Sequence, residues 1–387
     1  MTSLRETIQN LFTPVEPLPA GTYHYIAPPD DPRNYRLHLR TEKDGNGIMI
    51  VNASTILHLN ETATEYAYHL IKGNPEDQVA NTIASRYRIS KPQAMQDYQD
   101  FVERIDVLVT TPDLDPVMFL DFERQEPYSG EIKIPYRLDC ALTYRLPDGI
   151  DPDFAPSKRV TRELTTDEWS IIIDKSWELG IPHIIFTGGE PTLREDLVTL
   201  LEKAEENGQV TGLLTDGFRL GNRDYLDSLL QTGLDHILFI FHPEIEEAWT
   251  ALQSVLNEDI HTAVHITLDS KNVNTVLELI QKLNRMNVGA ISLSATSASL
   301  DPDLESTREQ VAELEIDLVW DIPVPYSSHN PVAVELEAEE ENIPEGAGRA
   351  WLYVEPDGDI LPAQGINRVL GNVLSDTWNQ IWSSQES

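Results

Sequence analysis

The chain has 387 residues, 40% of them hydrophobic, which is enough for two or three domains with ordinary cores. Its 28 Lys and Arg face 65 Asp and Glu, a formal charge of −37 that disfavours nucleic acid as a partner, because phosphate binding needs clustered cations. The single cysteine, Cys140, excludes an intramolecular disulfide and any cage of several thiolates, and no apolar run approaches the roughly 18 residues of a membrane span.

The N-terminus shows no basic stretch followed by an apolar one, so a cytoplasmic protein without a signal peptide is expected. Residues 1–35 are rich in Pro and read as an irregular leader. From residue 36 the pattern changes. Two apolar strands, Tyr35-Arg36-Leu37-His38-Leu39 and Ile48-Met49-Ile50-Val51, flank Asp44-Gly45-Asn46-Gly47, a hairpin signal.

Three helices should follow. Asn60 caps the first, with Ala63, Tyr66, Ala67, Leu70 and Ile71 on one stripe before Gly73. Asn74-Pro75 opens the second, with Val79, Ile83 and Tyr87 inward, and Ser90-x-x-Gln93 opens the third. A hairpin with three short helices is winged-helix-like. This order, with Leu57-x-Leu59-Asn60-x-Thr62-Ala63 entering the first helix, resembles the PqqD-like peptide-recognition domain of ribosomal-peptide modification systems. The resemblance places that domain at 36–109 and implies leader-peptide binding by strand addition. A generic winged helix is the plainer reading.

Residues 110–130 read as a linker, after which strands and helices alternate. Strands are expected at 138–143, 184–186, 210–214, 236–241, 264–268 and 290–293, with one more at 315–320. Thr165-x-x-Glu168 is a capping box opening the first intervening helix. Such spacing implies parallel β/α units, here a partial (β/α)6 TIM-like barrel over 131–325, with its functional face at the C-terminal strand ends. Cys140 falls inside the first strand and reads as a buried, inert thiol.

The most specific motif is Phe186-Thr187-Gly188-Gly189-Glu190-Pro191-Thr192-Leu193, directly after the second strand. Two glycines permit close backbone approach, and Glu190 can pair with an ammonium group. Thr215-Asp216-Gly217 follows the third strand, and Gly233-Leu234-Asp235 precedes the fourth. Upstream, Leu142-Thr143-Tyr144-Arg145 runs into Leu146-Pro147-Asp148-Gly149-Ile150-Asp151-Pro152-Asp153-Phe154. In this order, these segments resemble the radical S-adenosylmethionine (radical SAM) family, whose first strand leads into Cys-x-x-x-Cys-x-x-Cys and an aromatic residue. The resemblance puts Leu146, Ile150 and Asp153 at the cysteine positions, with Phe154 as the aromatic. It also implies a vestigial S-adenosylmethionine site at Gly188, Gly189, Glu190, Thr215 and Asp216.

At 326–387, a hairpin containing Pro356-Asp357-Gly358, then Leu370-Gly371-Asn372 and a helix near 376–382, resembles a SPASM-type extension. Ala363 takes its cysteine position, and no cysteine stands near 345–348. The acidic run 335–341 reads as solvated loop. Neither Leu nor Ile can coordinate iron, so an iron–sulfur cluster is not expected.

His242, Asp216, Asp269 and Glu190 lie at strand ends, but no metal site is expected from them; His183, His236 and His265 read as core or rim histidines. Radical chemistry is therefore unsupported. The leading expectation is a catalytically degenerate, peptide- or partner-binding scaffold in a ribosomal-peptide modification pathway, beside an active radical SAM paralogue. Two alternatives stand: an enzyme that binds S-adenosylmethionine without a cluster, for methyl or other group transfer, and a structural subunit of an oligomer.

Overall fold

The computed structural model describes residues 17–110 except 29, 32, 34, 53 and 54, together with 132–337 and 344–383. The chain divides into two compact units, Met1–Glu126 and Pro127–Ser387.

The first unit is a four-stranded antiparallel meander carrying three helices. Its strands are β1 (Gly21–Ile26), β2 (Arg36–Thr41), β3 (Gly47–Val51) and β4 (Thr55–Leu59), paired in that order. Gly45, at φ +89°, makes the β2–β3 turn, and Leu39 lies opposite Met49, which lies opposite Leu57. That face packs on α1 (Glu61–Ile71) through Ala67 and Ile71. Asn60 caps α1, its Oδ1 accepting from the Ala63 amide at 3.0 Å. Helices α2 (Glu76–Tyr87) and α3 (Lys91–Thr110) close a second small core of Val79, Ala80, Ile83, Ala94 and Tyr98.

The expected irregular leader is corrected in part: Gly21–Ile26 is an edge strand. Its alternating Tyr23 and Tyr25 pack on the sheet core, and Tyr23 meets Tyr68 edge-on at 4.9 Å. Of the expected linker, 111–130 lies outside the described residues.

The second unit is built on one nine-stranded sheet in the order β10-β9-β8-β7-β6-β5-β11-β12-β13. Strands β5 (Arg137–Thr143), β6 (His183–Gly188), β7 (Val210–Thr215), β8 (His236–Ile240), β9 (His261–Leu268) and β10 (Ala290–Ala295) are parallel and add sequentially. Five helices, α4 (Thr166–Leu179), α5 (Leu197–Glu206), α6 (Arg223–Leu230), α7 (Glu246–Leu256) and α8 (Val276–Arg285), connect them, and α9 (Asp301–Glu313) follows β10. Sequential parallel addition of β/α units is the winding of a partial barrel.

Alternation sorts each strand. Leu138, Cys140, Leu142, Phe186, Leu213 and Phe239 face the helices, and Ala141, Ile185, Leu214, Leu238 and Ile240 face inward. The capping box of α4 is formed on both sides, and its Trp169, Ile172 and Ile173 are fully buried, worth about 2 kcal/mol each against exposure.

The C-terminal hairpin is part of the same sheet. Strand β11 (Trp351–Val354) lies parallel to β5, with Trp351 opposite Arg137, and β12 (Asp359–Leu361) and β13 (Gly371–Asn372) continue outward. Two expectations change here. Residues 315–320 make only an isolated bridge, Ile291 to Leu318. And 326–349 is not loop throughout: Ala333–Glu337 is a short helix, α10. Glu335 is not solvated but accepts from the Tyr326 hydroxyl and pairs with Arg159 at 3.5 Å. Residues 338–343 of that stretch lie outside the described residues. The last helix, α11 (Trp378–Ser383), buries Ile381.

Candidate functional site

The site begins where β6 turns. Gly188 sits at φ +123°, and a Cβ there would meet the Thr143 carbonyl oxygen at 2.3 Å. A Cβ on Gly189 would meet the Arg145 carbonyl oxygen at the same distance. Both glycines are thus required by the backbone leaving β5. The Gly189 amide donates to Thr143 O at 2.8 Å and the Glu190 amide to Arg145 O at 2.9 Å, while Gly188 O accepts from the Tyr326 amide at 2.8 Å. These two amides tie the turn to the β5 exit loop.

Glu190 is 3% exposed and held by its own chain. Its Oε1 accepts from the Thr192 amide at 2.9 Å, the Thr192 hydroxyl at 2.5 Å and the Thr215 hydroxyl at 2.8 Å. Its Oε2 accepts from the Asp216 amide at 2.8 Å. Three of the four donors fall on Oε1, so Oε2 keeps one acceptor site. The neighbouring Asp216 carboxyl is pushed up to about 8, first by desolvation and then by the Glu190 charge. It is therefore largely protonated at neutral pH. Gly217, at φ +75°, follows because Phe239 lies within 2.1 Å of where its Cβ would be.

These turns form one wall of a cavity of about 290 Å³. Gly189, Glu190 and Asp216 share it with Leu146 and Ile150 from the β5 exit loop, His242 and Glu244 after β8, and Tyr326 and His329. Of the four strand-end residues picked from sequence, Glu190, Asp216 and His242 line it. Asp269 does not: its Oδ1 accepts from the Lys271 and Asn272 amides at 2.8 Å. His265 is a satisfied core residue, held by Ser292 and Ser294 at 3.0 Å and depressed to about 3 by burial. His236 is depressed to about 4 for the same reason.

A family profile for the radical SAM superfamily matches residues 140–242, the segment running from β5 to just past β8. Residues 140–242 thus carry the likeness to the radical SAM superfamily. The PqqA peptide cyclase of Bradyrhizobium diazoefficiens is 26% identical over 282 residues, covering 64% of this chain and 72% of that protein. The PqqA peptide cyclase of Rhizobium meliloti is 28% identical over 255 residues, covering 57% of this chain and 65% of that one. Among solved structures, Streptococcus suis SuiB bound to precursor peptide SuiA aligns over 93% of this chain and 88% of that one, at a TM-score of 0.55 and 14% identity. SuiB bound to S-adenosylmethionine aligns over the same shares at 0.53. This likeness shows the fold.

The residues that the family resemblance puts at cluster positions do not fit a thiolate-held cluster. Leu146 packs with Tyr144, Ala155 and Tyr326, and neither it nor Ile150 has a donor atom. Asp153 is exposed in a 3-10 turn and pairs with Lys158 at 2.7 Å, away from the cavity lining. Cys140 is buried on the helix-facing side of β5, and burial raises its thiol. Ala363 is 7% exposed in an apolar cluster with Ile132, Ala350 and Trp351, against which Ala347 also packs.

Beneath the loop lies a buried polar network invisible in the sequence. The Tyr144 hydroxyl donates to Glu355 at 2.8 Å, and Arg159 Nε donates to the same Glu355 oxygen at 2.6 Å. Tyr326 packs edge-on to Tyr144 at 5.4 Å and donates to Glu335. Desolvation raises both Glu335 and Glu355. Their residues come from 144, 159, 326, 335 and 355, and no local pattern links them.

Proposed function

We propose that this chain is a member of the peptide-modifying radical SAM enzymes that no longer carries iron–sulfur chemistry and acts as a peptide- or partner-binding scaffold. The observation that carries the reading is the cavity wall. Hydrocarbon from Leu146 and Ile150 stands beside Gly189 and Glu190, where a cluster would have to sit to reach a bound sulfonium. Two named relatives are PqqA peptide cyclases, and one structural neighbour was solved with its precursor peptide, which supports a peptide as the molecule recognised. Residues 36–109 would serve as the PqqD-like recognition domain, with an exposed edge of the β1–β4 sheet accepting an added strand. Residues 326–387 would be a SPASM-like extension without ligands, and an active paralogue would supply the chemistry. No described helix is long and apolar enough to cross a membrane, which suits a cytoplasmic site of action.

Anaerobic reconstitution with iron and sulfide tests this directly. The expected product holds no labile sulfide and shows no visible charge-transfer absorption. A stoichiometric sulfide-containing cluster sinks the reading.

A second reading rests on the cavity itself. At about 290 Å³, with Glu190 in its wall, it suits part of a small cationic ligand, and S-adenosylmethionine bound without a cluster would fit a group-transfer role. Calorimetry separates the two: no heat at millimolar S-adenosylmethionine leaves the scaffold.

A further inference from the structure

The fold brings together three metal-ligating side chains that the family motifs do not include. His242 follows β8, Glu244 lies two residues on, and His329 comes from the segment between β10 and α10. His242 Nδ1 lies 3.8 Å from Glu244 Oε1, and His329 Nε2 lies 3.7 Å from the same oxygen. One ligand atom from each falls within 4.8 Å of the others. Ligands on one ion at about 2.1 Å stand roughly 3.0–3.4 Å apart, so each His–Glu pair must close by a few tenths of an ångström and the two imidazole nitrogens by up to about 1.4 Å. Glu244 at 58% and His329 at 35% side-chain exposure have room to make it.

The backbone holds each ligand in place. The Ile245 amide donates to His242 O at 3.0 Å, closing the turn that carries Glu244. Ser327 Oγ accepts from the His329 and Asn330 amides at 3.2 and 3.1 Å, and Asn330 Nδ2 donates to Val324 O at 2.6 Å. The Tyr326 amide anchors the same segment to Gly188 O. His242 is 9% exposed and stacks on Phe218 at 6.0 Å, an apolar support for a ligating imidazole.

The surroundings select a cation. Among the described residues lining the cavity, Asp148, Glu190, Asp216 and Glu244 are acidic and none is Lys or Arg.

We infer that His242, Glu244 and His329 form a binding site for a first-row divalent cation, zinc suiting the donor set best, with at least one coordination position open to the cavity. Two imidazoles and one carboxylate are the donor set of three-ligand zinc sites that keep a place for water or an exogenous ligand. The group contributed by a peptide or small molecule in the cavity would be an oxygen donor, a carboxylate or carbonyl. This site does not depend on the scaffold reading, because it uses none of the cluster or Gly-Gly-Glu residues. Iron held here would also lack sulfide, so the two tests fail separately.

The experiment uses the untagged full chain, stripped with chelator and titrated with Zn2+ by calorimetry, with Co2+ as a visible-absorption probe. One ion per chain is expected, with d–d bands of nitrogen and oxygen ligation. Glu244→Ala and His329→Ala should each weaken binding by at least the 10–100-fold, to order of magnitude, that loss of a mere outer-shell partner costs. Both lie on partly exposed side chains, and unchanged circular dichroism shows that they fold. Absence of stoichiometric binding overturns the proposal. So does an affinity that both variants leave unchanged, which would assign the ion to surface carboxylates instead.

Discussion

Asp216 borders the cavity beside Glu190, and its titration has a measurable sign. Its carboxyl is protonated in the folded protein well above the pH at which it ionises in the unfolded chain. Between roughly pH 4 and 8 the native state therefore binds the extra proton, and this group's contribution to stability falls as pH rises through that window. Asp216→Asn keeps a donor toward Glu190 without the titration. Thermal melts should show the variant and the parent close together at pH 5, with the variant ahead at pH 8.5. Equal melting temperatures at both pH values would show that Asp216 holds no extra proton in the folded state. The glycines give a cleaner steric test. Gly189→Ala forces a Cβ onto the Arg145 carbonyl and should cost about 2 kcal/mol or more, whereas Gly221→Ala, whose nearest neighbour is 3.7 Å away, should be near neutral in urea titrations. The motif around these residues was legible in the sequence because it is contiguous. The reason for its glycines was not, since it depends on where the β5 backbone passes.

At the scale of elements, local signals named the hairpin, the three N-terminal helices, the capping box of α4 and all six parallel strands. They missed β1, although Tyr23 and Tyr25 alternate as in a strand, because the neighbouring prolines dominate the composition. They misplaced Glu335 because an acidic run looks solvated until a buried Arg is brought to it from elsewhere. Arg159 is that residue, 23% exposed and set against both Glu335 and Glu355. Arg159→Met should cost about 3 kcal/mol by stranding two carboxylates only 10% and 2% exposed. Adding Glu335→Gln and Glu355→Gln should recover much of it. Chemical denaturation of the single and triple variants reads this out; a triple variant no more stable than the single one would mean packing, not charge, explains the loss. His329 was likewise hidden, because nothing in 326–330 foretells a neighbour at 242.

Over the whole molecule, 65 acids against 28 bases impose a self-repulsion that the fold must overcome. The Debye length shrinks from about 10 Å at 0.1 M salt to about 3 Å at 1 M. Melting temperature should therefore climb as KCl rises from 0.1 to about 2 M; a flat or falling series would remove this account.

The partnership of β11 with β5 has a bearing on how the protein is made. Arg137 leaves the ribosome long before Trp351, so this rim of the nascent sheet stays open until Trp351–Val354 emerges. A ribosome stalled before residue 351 would hold a chain whose first parallel strand still offers unpaired amides to any passing strand, and such truncated products should be sticky where the finished one is not.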